Sequence, residues 1–500
     1  MKSRNILFII AHDIGRRYGC YDNGQVKTPN IDALSEESVQ FNNHFCHWPL
    51  CGPSRANVFS GCRPLTTERY DNDVFFPKFR KRMGDGFVSL PEIFKGNGYR
   101  ALGAGVVYHD VDDGPSWSAP VWHPGLPDGV PEWLREPLLQ SPNIWSSDES
   151  FSLIRNRLDK LKSSGMSEGE IRKLEHIRRA RGPAVESADV EDEAYHDGLV
   201  SRKAVEYLKS LRDSGPFFLA VGFTAGHLPF NSPKKYWDLY RRSALQLPAN
   251  PSMPEDSPEW AMGDSEPAQY YTMEGYDSPW KADREQSMEL LHGAYAAISY
   301  IDAQIGKLVH ALKENGQWEN TVVVVTSDHG FHLGEHGYWG KHNLWDASLK
   351  VPLLIRIPSR NGRTVLRSLT EHVDIYPTLC DLCHIPPPGF LEGSSLMPLL
   401  EDPETSRKQA LFAHRKHMWH DRLQVYDFGH SIRTERYRMT VYLDKRGGTL
   451  YMELFDYRLD PHEIRNSAGN PEYGEVRKEL TDRLRSGWKA SGKQPGRLDG

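Results

Sequence analysis

Ile6-Leu7-Phe8-Ile9-Ile10-Ala11-His12-Asp13 is an apolar run that stops abruptly on an imidazole and a carboxylate. The run is short and does not alternate, so it reads as a strand buried on both faces. Residues 217–223, 322–325 and 353–357 read the same way, as buried parallel strands. Helical patterns separate them. Thr28-Pro29 opens one helix, with Thr as N-cap and Pro at the first helical position. Leu199, Val200, Ala204, Leu208 and Leu211 mark a second. Leu291, Ala294, Ile298, Ile301, Ile305, Leu308 and Leu312 mark a long third that Gly316 ends. Strands alternating with helices predict an α/β fold with a large, mostly parallel sheet sandwiched by helices.

Past residue 395 the pattern changes to strand-like runs at 431–438, 438–443 and 449–456, then a terminal helix near 473–488. The expected division is a catalytic α/β domain over 1–395 and a smaller C-terminal α+β subdomain over 396–500. Two irregular stretches, 110–195 and 245–284, interrupt the first domain. Long insertions of this kind usually form walls or lids of a site.

Of 500 residues, 38% are hydrophobic and 26% charged, enough for a large core and too apolar for wholesale disorder. Lys+Arg 61 against Asp+Glu 67 leaves a net charge of −6, which argues against a nucleic-acid partner. No apolar run approaches the ~20 residues of a membrane span. The apolar stretch at the N-terminus is too short for a signal peptide, so a soluble cytoplasmic protein is expected. Cys380 and Cys383 have redox-motif spacing but lie in VDIYPTLCDLCHI, which reads as a buried helix with structural thiols.

In open α/β sheets, ligands bind at the carboxyl ends of the strands. After the first run come His12 and Asp13; after 322–325 come Asp328 and His329 in TSDHG; after 217–223 comes His227 in TAGHLPF. Three strand ends thus deliver carboxylates and imidazoles, the composition of a metal site assembled from distant segments.

The segment Cys51-Gly52-Pro53-Ser54-Arg55-Ala56, followed by Ser60-Gly61, identifies the chemistry. Here the chain resembles the type I sulfatases of the alkaline phosphatase-like superfamily, whose signature is C-x-P-S-R followed by [TS]-G. The resemblance extends through ILFIIAHDIGRRYGCYDNG, KTPNIDALSEES, TSDHGFHLGEHGYWGKHNLWDASLKVPLLIRIP and ELFDYRLDPHEIRN. RPLTTERYDND, HLPF and HSIRTERYR look closest to the iduronate-2-sulfatase branch.

The resemblance implies a hydrolase that releases inorganic sulfate from a sulfated carbohydrate. It implies that a maturation enzyme oxidises Cys51 to formylglycine, whose hydrated aldehyde is the nucleophile. A geminal diol suits the task because one oxygen attacks sulfur and the other expels sulfate as the aldehyde re-forms. Arg55, one helical turn on, would hold the nucleophile's oxygens and the anionic substrate. Asp13, Asp328 and His329, with Cys51 and His12, would surround a divalent cation, calcium in the first instance. Lys341 and His227 match the family's sulfate and leaving-group contacts, and His109 the histidine that assists breakdown of the hemiacetal. Asn72, in the RYDND loop, is a further substrate contact or a turn residue.

Two departures bear on this reading. His12-Asp13 stands where most sulfatases carry Asp-Asp. Either His12 swings away from calcium, or the site takes manganese or zinc, which imidazole suits better. Val106 stands where the family has a lysine, which removes a cation from the anion pocket. Phosphonate monoester hydrolases of the superfamily share that feature, so phosphodiester or phosphonate monoester hydrolysis is the alternative, and a catalytically silent glycan-binding relative the third. A homo-oligomer is compatible with all three. Other residues stay open: His44, Cys46 and His47 as a zinc cluster with little loop to fold round it, His332 and His336 as pocket or backbone contacts, and Tyr108, Trp339 and Trp345 as pocket walls or core.

Overall fold

The computed structural model describes residues 3–490 apart from 73–75, 110, 126–143, 168, 171–181, 259–260, 263–264, 270–281, 403–407, 417–427 and 444–447. Much of the two insertions, including the charged stretch at 171–181, therefore lies outside the described residues.

Eight strands form the main sheet: β1 (Asn5–Ala11), β2 (Val39–Phe45), β3 (Arg100–Gly105), β4 (Phe217–Phe223), β5 (Thr321–Ser327), β6 (Lys350–Val351), β7 (Leu353–Arg356) and β8 (Thr364–Glu371). Their order is β6-β2-β7-β5-β1-β4-β3, with β8 alongside β2. Alternate side chains of β1 serve two cores. Leu7, Ile9 and Ala11 pack with α1 (Pro29–Ser35), α3 (His196–Ser210) and the long α4 (Arg284–Glu314). Ile6, Phe8 and Ile10 pack with α2 (Cys51–Ser60) and α5 (Ile375–Leu382). This is the expected layered α/β sandwich.

Strand β7 departs from expectation. It runs antiparallel to both neighbours, Leu353 opposite Thr326 of β5 and Leu354 opposite Gln40 of β2. A parallel return needs a crossover, usually helical. Between Ser327 and Leu353 the chain forms a small hairpin (His332–Leu333 with Trp339–Gly340), a 3₁₀ turn, one four-residue helix, Asp346–Leu349, and β6, with no crossover helix, so it folds back down the sheet.

The cap of α1 also differs. Thr28 occupies the N-cap position but makes no capping hydrogen bond. Asp302 of α4 does so instead, accepting from the backbone N–H groups of Asn30 (3.2 Å) and Ile31 (2.7 Å). Cys380 is buried and Cys383 half-buried on the α5 side of the core; both are free thiols, as read from the sequence.

The C-terminal sheet is a four-stranded antiparallel meander: β9 (Leu411–Lys416), β10 (Phe428–Arg433), β11 (Tyr437–Leu443) and β12 (Thr449–Asp456), with α6 (Gly474–Ala490) packed on it. It grips the chain just before β6. Arg438 and Arg433 pair with Asp346, and the Trp345 indole N–H donates to Glu453 Oε2 (3.2 Å). No helix among the described residues is long and apolar enough to cross a membrane.

Asp302→Ala removes a buried cap, and its unfolding free energy is expected to fall by about 1–2 kcal/mol in urea titration. Glu453 is fully buried, and burial pushes its carboxyl up to about 7 despite hydrogen bonds from Ser257 and Trp345. A carboxyl raised above its unfolded value adds stability fully present below the ordinary glutamate pKa and lost as pH rises through 7. Glu453→Gln is therefore expected to flatten the decline in stability across that interval, measured as unfolding midpoints at about pH 5 and about pH 8.

Candidate functional site

Parallel pairing sets the ends of three strands level. Ala11 of β1 lies opposite Phe223 of β4 and Ser327 of β5. The chains stay paired one step further: His12 N–H donates to Phe223 O (3.1 Å), and Asp328 N–H to Ala11 O (3.2 Å). Asp13 then turns into the left-handed region, φ +57°, which Asp tolerates better than most residues. Its N–H donates to Asp328 Oδ1 (3.0 Å). Gly226 and Gly330 permit these loops to meet, since a Cβ would lie 2.0 Å from His12 O at the first and 2.0 Å from Ala347 O at the second.

Helix α2 brings Cys51 to the same point. The helix is buried along its whole length, and Leu50 at its N-cap has no capping side chain. Asn72 supplies that cap, its Oδ1 accepting from Gly52 N–H (2.8 Å). Ser54 Oγ donates to the Asp328 carbonyl, and Arg55, one turn on from Cys51, donates through Nε to Asp328 Oδ2 (3.0 Å). Arg55 Nη1 donates to the carbonyls of Val106 and Val107. Its Nη2 has no hydrogen-bond partner among the described residues.

Around Cys51 the groups converge closely. His329 Nε2 is 3.2 Å from Cys51 Sγ and 3.3 Å from Asp13 Oδ1. His12 Nδ1 is 3.7 Å from Asp13 Oδ1 and 3.6 Å from Asp328 Oδ2, too far for a hydrogen bond. It is buried with no hydrogen-bond partner among the described residues. Ligand atoms of His12, Asp13, Cys51 and Asp328 all lie within 4.8 Å of one another. Lys341 Nζ donates to Asp13 Oδ2 (2.7 Å), and His227 Nε2 is 3.9 Å from the same oxygen. His109 lies near His12, ring centroids 6.4 Å apart. The sequence-predicted residues are thus brought together, with Asn72 touching the backbone next to Cys51.

Burial and charge set the protonation states. Burial raises Asp13, yet Lys341, His227 and His329 outweigh it and hold the carboxyl well below the usual range. Burial likewise works against the Lys341 ammonium, but Asp13, Cys51 and Glu266 hold it well above its usual value. Burial, with help from Arg55, pulls His12 down to about 4, so its ring is neutral. Burial pushes the Cys51 thiol well above its usual range, and Asp13 and Asp328 add to this against Lys341 and Arg55. An unmodified Cys51 is a protonated thiol and a poor nucleophile.

Several candidates prove structural. His332 bonds Asn343 and Glu335, and His336 bonds Asn250. Tyr108, Trp339 and Trp345 are packed in the core. His44, Cys46 and His47 do not converge as zinc ligands would. His47 Nε2 lies 3.2 Å from Glu371, Cys46 Sγ donates to Ser348 O, and His44 meets His372.

The His44–His372 pair supports Asp328. His372 Nε2 bonds the Asp328 carbonyl (2.9 Å), His372 Nδ1 bonds His44 Nε2 (3.0 Å), and His44 Nδ1 bonds Thr370 Oγ1 (3.0 Å). A carbonyl only accepts, so His372 Nε2 carries the proton, His44 Nε2 donates to His372 Nδ1, and the Thr370 hydroxyl donates to His44. Burial keeps both rings neutral, His372 down to about 3. Sequence reading missed His372 and Thr370, which stand outside every motif. It also missed Glu266, whose Oε1 is 3.8 Å from Lys341 Nζ.

The family model described as Sulfatase matches residues 4–385, and one described as N-sulphoglucosamine sulphohydrolase, C-terminal, matches residues 334–489. Iduronate 2-sulfatase of Homo sapiens is 29% identical, covering 93% of this chain and 92% of that protein. A protein named Sulfatase from Formosa agariphila is 26% identical, covering 97% and 88%. The phosphonate monoester hydrolase of Agrobacterium radiobacter has a similar fold, with TM-score 0.72 at 22% identity, covering 96% and 94%.

His372→Ala is expected to weaken divalent-cation binding about 10–100-fold in isothermal titration calorimetry, because the carbonyl that orients Asp328 loses a donor. His372→Gln, whose amide can still donate, should recover part of that loss.

Proposed function

Because the chain belongs to the sulfatase family, we propose that it hydrolyses a sulfate ester on a sulfated carbohydrate and releases inorganic sulfate. The observation that carries this reading is the placement of Cys51: first residue of a buried helix, among two carboxylates, an arginine and a lysine, in a setting that keeps its thiol protonated. Conversion of Cys51 to formylglycine by a maturation enzyme would supply a hydrated aldehyde, one hydroxyl of which could displace the sugar alcohol from sulfur while the other releases sulfate as the aldehyde re-forms.

The residues present fit a divalent cation. His12 Nδ1 is buried without a hydrogen-bond partner among the described residues, and it shares a 4.8 Å cluster with Asp13, Cys51 and Asp328. These residues would hold the ion, with His329 beside them. Calcium suits the carboxylate pair, and the imidazole opens the site to manganese or zinc. A bound cation neutralises charge on the transferring group and acidifies hydroxyls near it.

The protein's own groups do the rest. Arg55 is anchored through Nε and Nη1, so its unpartnered Nη2 is a fixed donor for an oxygen at position 51. Lys341 keeps its proton and offers a charge-assisted hydrogen bond to a sulfate or leaving-group oxygen. His227 bonds Leu228 O through Nδ1 (2.6 Å), which orients Nε2 toward the Asp13 carboxylate and the anion seat. Asn72 fixes the N-terminus of α2, and to His109, near His12, we assign the uptake of a proton during release. We assign residues 1–395 to the catalytic unit and 396–500 to a subdomain that braces the Lys341 loop through Asp346 and Trp345.

A second reading, phosphodiester or phosphonate monoester hydrolysis with the same nucleophile, is favoured by Val106, which offers only its carbonyl to Arg55. Parallel kcat/KM measurements on an aryl sulfate and an aryl phosphodiester test the choice. A preference for the sulfate of about 100-fold or more is expected, with activity lost in Cys51→Ala. A comparable preference for the phosphodiester would transfer the assignment to the second reading, and no turnover of either, with an unoxidised Cys51 peptide by mass spectrometry, to the glycan-binding one.

A further inference from the structure

A strongly basic niche lies outside the catalytic cluster, where the turn after Asp13, strand β6 and the C-terminal sheet meet. Lys350 of β6, Arg433 of β10 and Arg438 of β11 gather round Phe45 of β2, their charged groups 5.7, 5.7 and 5.8 Å from its ring centre. Arg16 completes the set, and its field reaches both Asp346 and Lys350. Arg433 and Arg438 are buried, whereas Arg16, Lys350 and Asp346 stay partly open to solvent. The niche has a buried floor and a mouth that water reaches.

The carboxylates there do not match these charges. Asp346 Oδ1 already accepts from both Arg438 and Arg433. Burial, with Asp346 beside it, pushes the Glu463 carboxyl up to about 8, so it carries little charge near neutrality. Asp22, on the outer side of Arg16, is exposed and screened by water. Lys350 Nζ meets the Phe45 ring and makes no hydrogen bond or ion pair among the described residues. Arg16 spends Nη2 on Tyr21 O (3.3 Å), while its Nε is buried without a hydrogen-bond partner among the described residues. Burial and the three arginines pull the Lys350 ammonium down to about 8 against the opposing field of Asp346. Four cations crowded into one partly buried niche cost free energy unless an anion joins them. A guanidinium and an ammonium together suit an oxyanion with several acceptor oxygens.

We propose that Arg16 and Lys350, backed by Arg433 and Arg438, form a second anion site for a tetrahedral oxyanion, either free sulfate or a sulfate group carried by a glycan. The site stands apart from the sulfatase reading, because none of its residues belongs to the catalytic cluster.

The test follows acylation of Lys350 by acetic anhydride in the full-length protein, mapped by peptide mass spectrometry, with the exposed Lys209 as internal reference. Inorganic sulfate at about 20 mM should slow Lys350 labelling at least about fivefold, as occupancy of a millimolar site requires, and leave Lys209 within about twofold. Sodium chloride at equal ionic strength should protect Lys350 by no more than about twofold. Arg16→Met should abolish the protection by sulfate, and Arg16→Lys should keep part of it. Lys341→Met, which removes a cation from the catalytic cluster, should leave the protection intact. Protection by a sulfated disaccharide at a lower concentration than free sulfate assigns the site to the glycan, and the reverse order assigns it to the free anion. Labelling that sulfate does not slow, or that chloride slows equally, overturns the proposal. So does protection that survives Arg16→Met or disappears with Lys341→Met. A Lys350 that no condition labels overturns it too, since the amine would then be closed to any ligand.

Discussion

Two buried carboxylates, Asp13 and Asp328, joined through one backbone N–H, are the constraint that organises the rest of the molecule. Neither could remain ionised in the interior unmatched. Arg55 answers Asp328 from one side and Lys341 answers Asp13 from the other, while the neutral His12 ring and His329 stand beside them. The two fixed cations come from segments far apart in the chain, a helix after β2 and a loop after β5. The sheet must therefore be complete before the charges balance. Held in this way, the pair is the centre of the proposed cation and anion site, although the chain as a whole carries a net charge of −6. Overall charge says little about the ligand of such a site.

Much of this was legible because strand ends obey a simple rule. Each buried apolar run stops where the sheet stops, so His12, Asp13, Asp328, His329 and His227 could be placed at one edge from their positions after the runs. The direction of Leu353–Arg356 was not legible. A fully buried strand has the same composition in either orientation, and only the short turns between Ser327 and Leu353 decide it. The start of α1 at Thr28-Pro29 was legible, but the source of its capping hydrogen bonds was not. Thr28-Pro29 is a sound local signal, but a carboxylate from a distant helix, Asp302, satisfies the same N–H groups better. His372, Thr370 and Glu266 were invisible because their contacts join residues 44 to 326 positions apart, and none stands in a spacing that local reasoning recognises.

The C-terminal sheet takes its place in the same charge economy. Arg433 and Arg438 meet at Asp346, four residues before β6, and Glu453 meets the neighbouring Trp345. The loop bearing Lys341 is thus tethered at one end by β5 and at the other by a separate sheet. A long, charged side chain needs such bracing to deliver its ammonium to one oxygen and not sample several.

The direct return of the chain into β7 also limits where length can vary during evolution. Residues between Ser327 and Leu353 fill a fixed gap between two strand ends. Gaining or losing one residue there would slide β7 by one register and turn its buried side chains to the opposite face. The two insertions face no such reckoning, since neither lies between directly paired antiparallel strands of the main sheet. Divergence in chain length is channelled into those segments, while the stretch that carries Asp328, His329 and Lys341 is kept at constant measure.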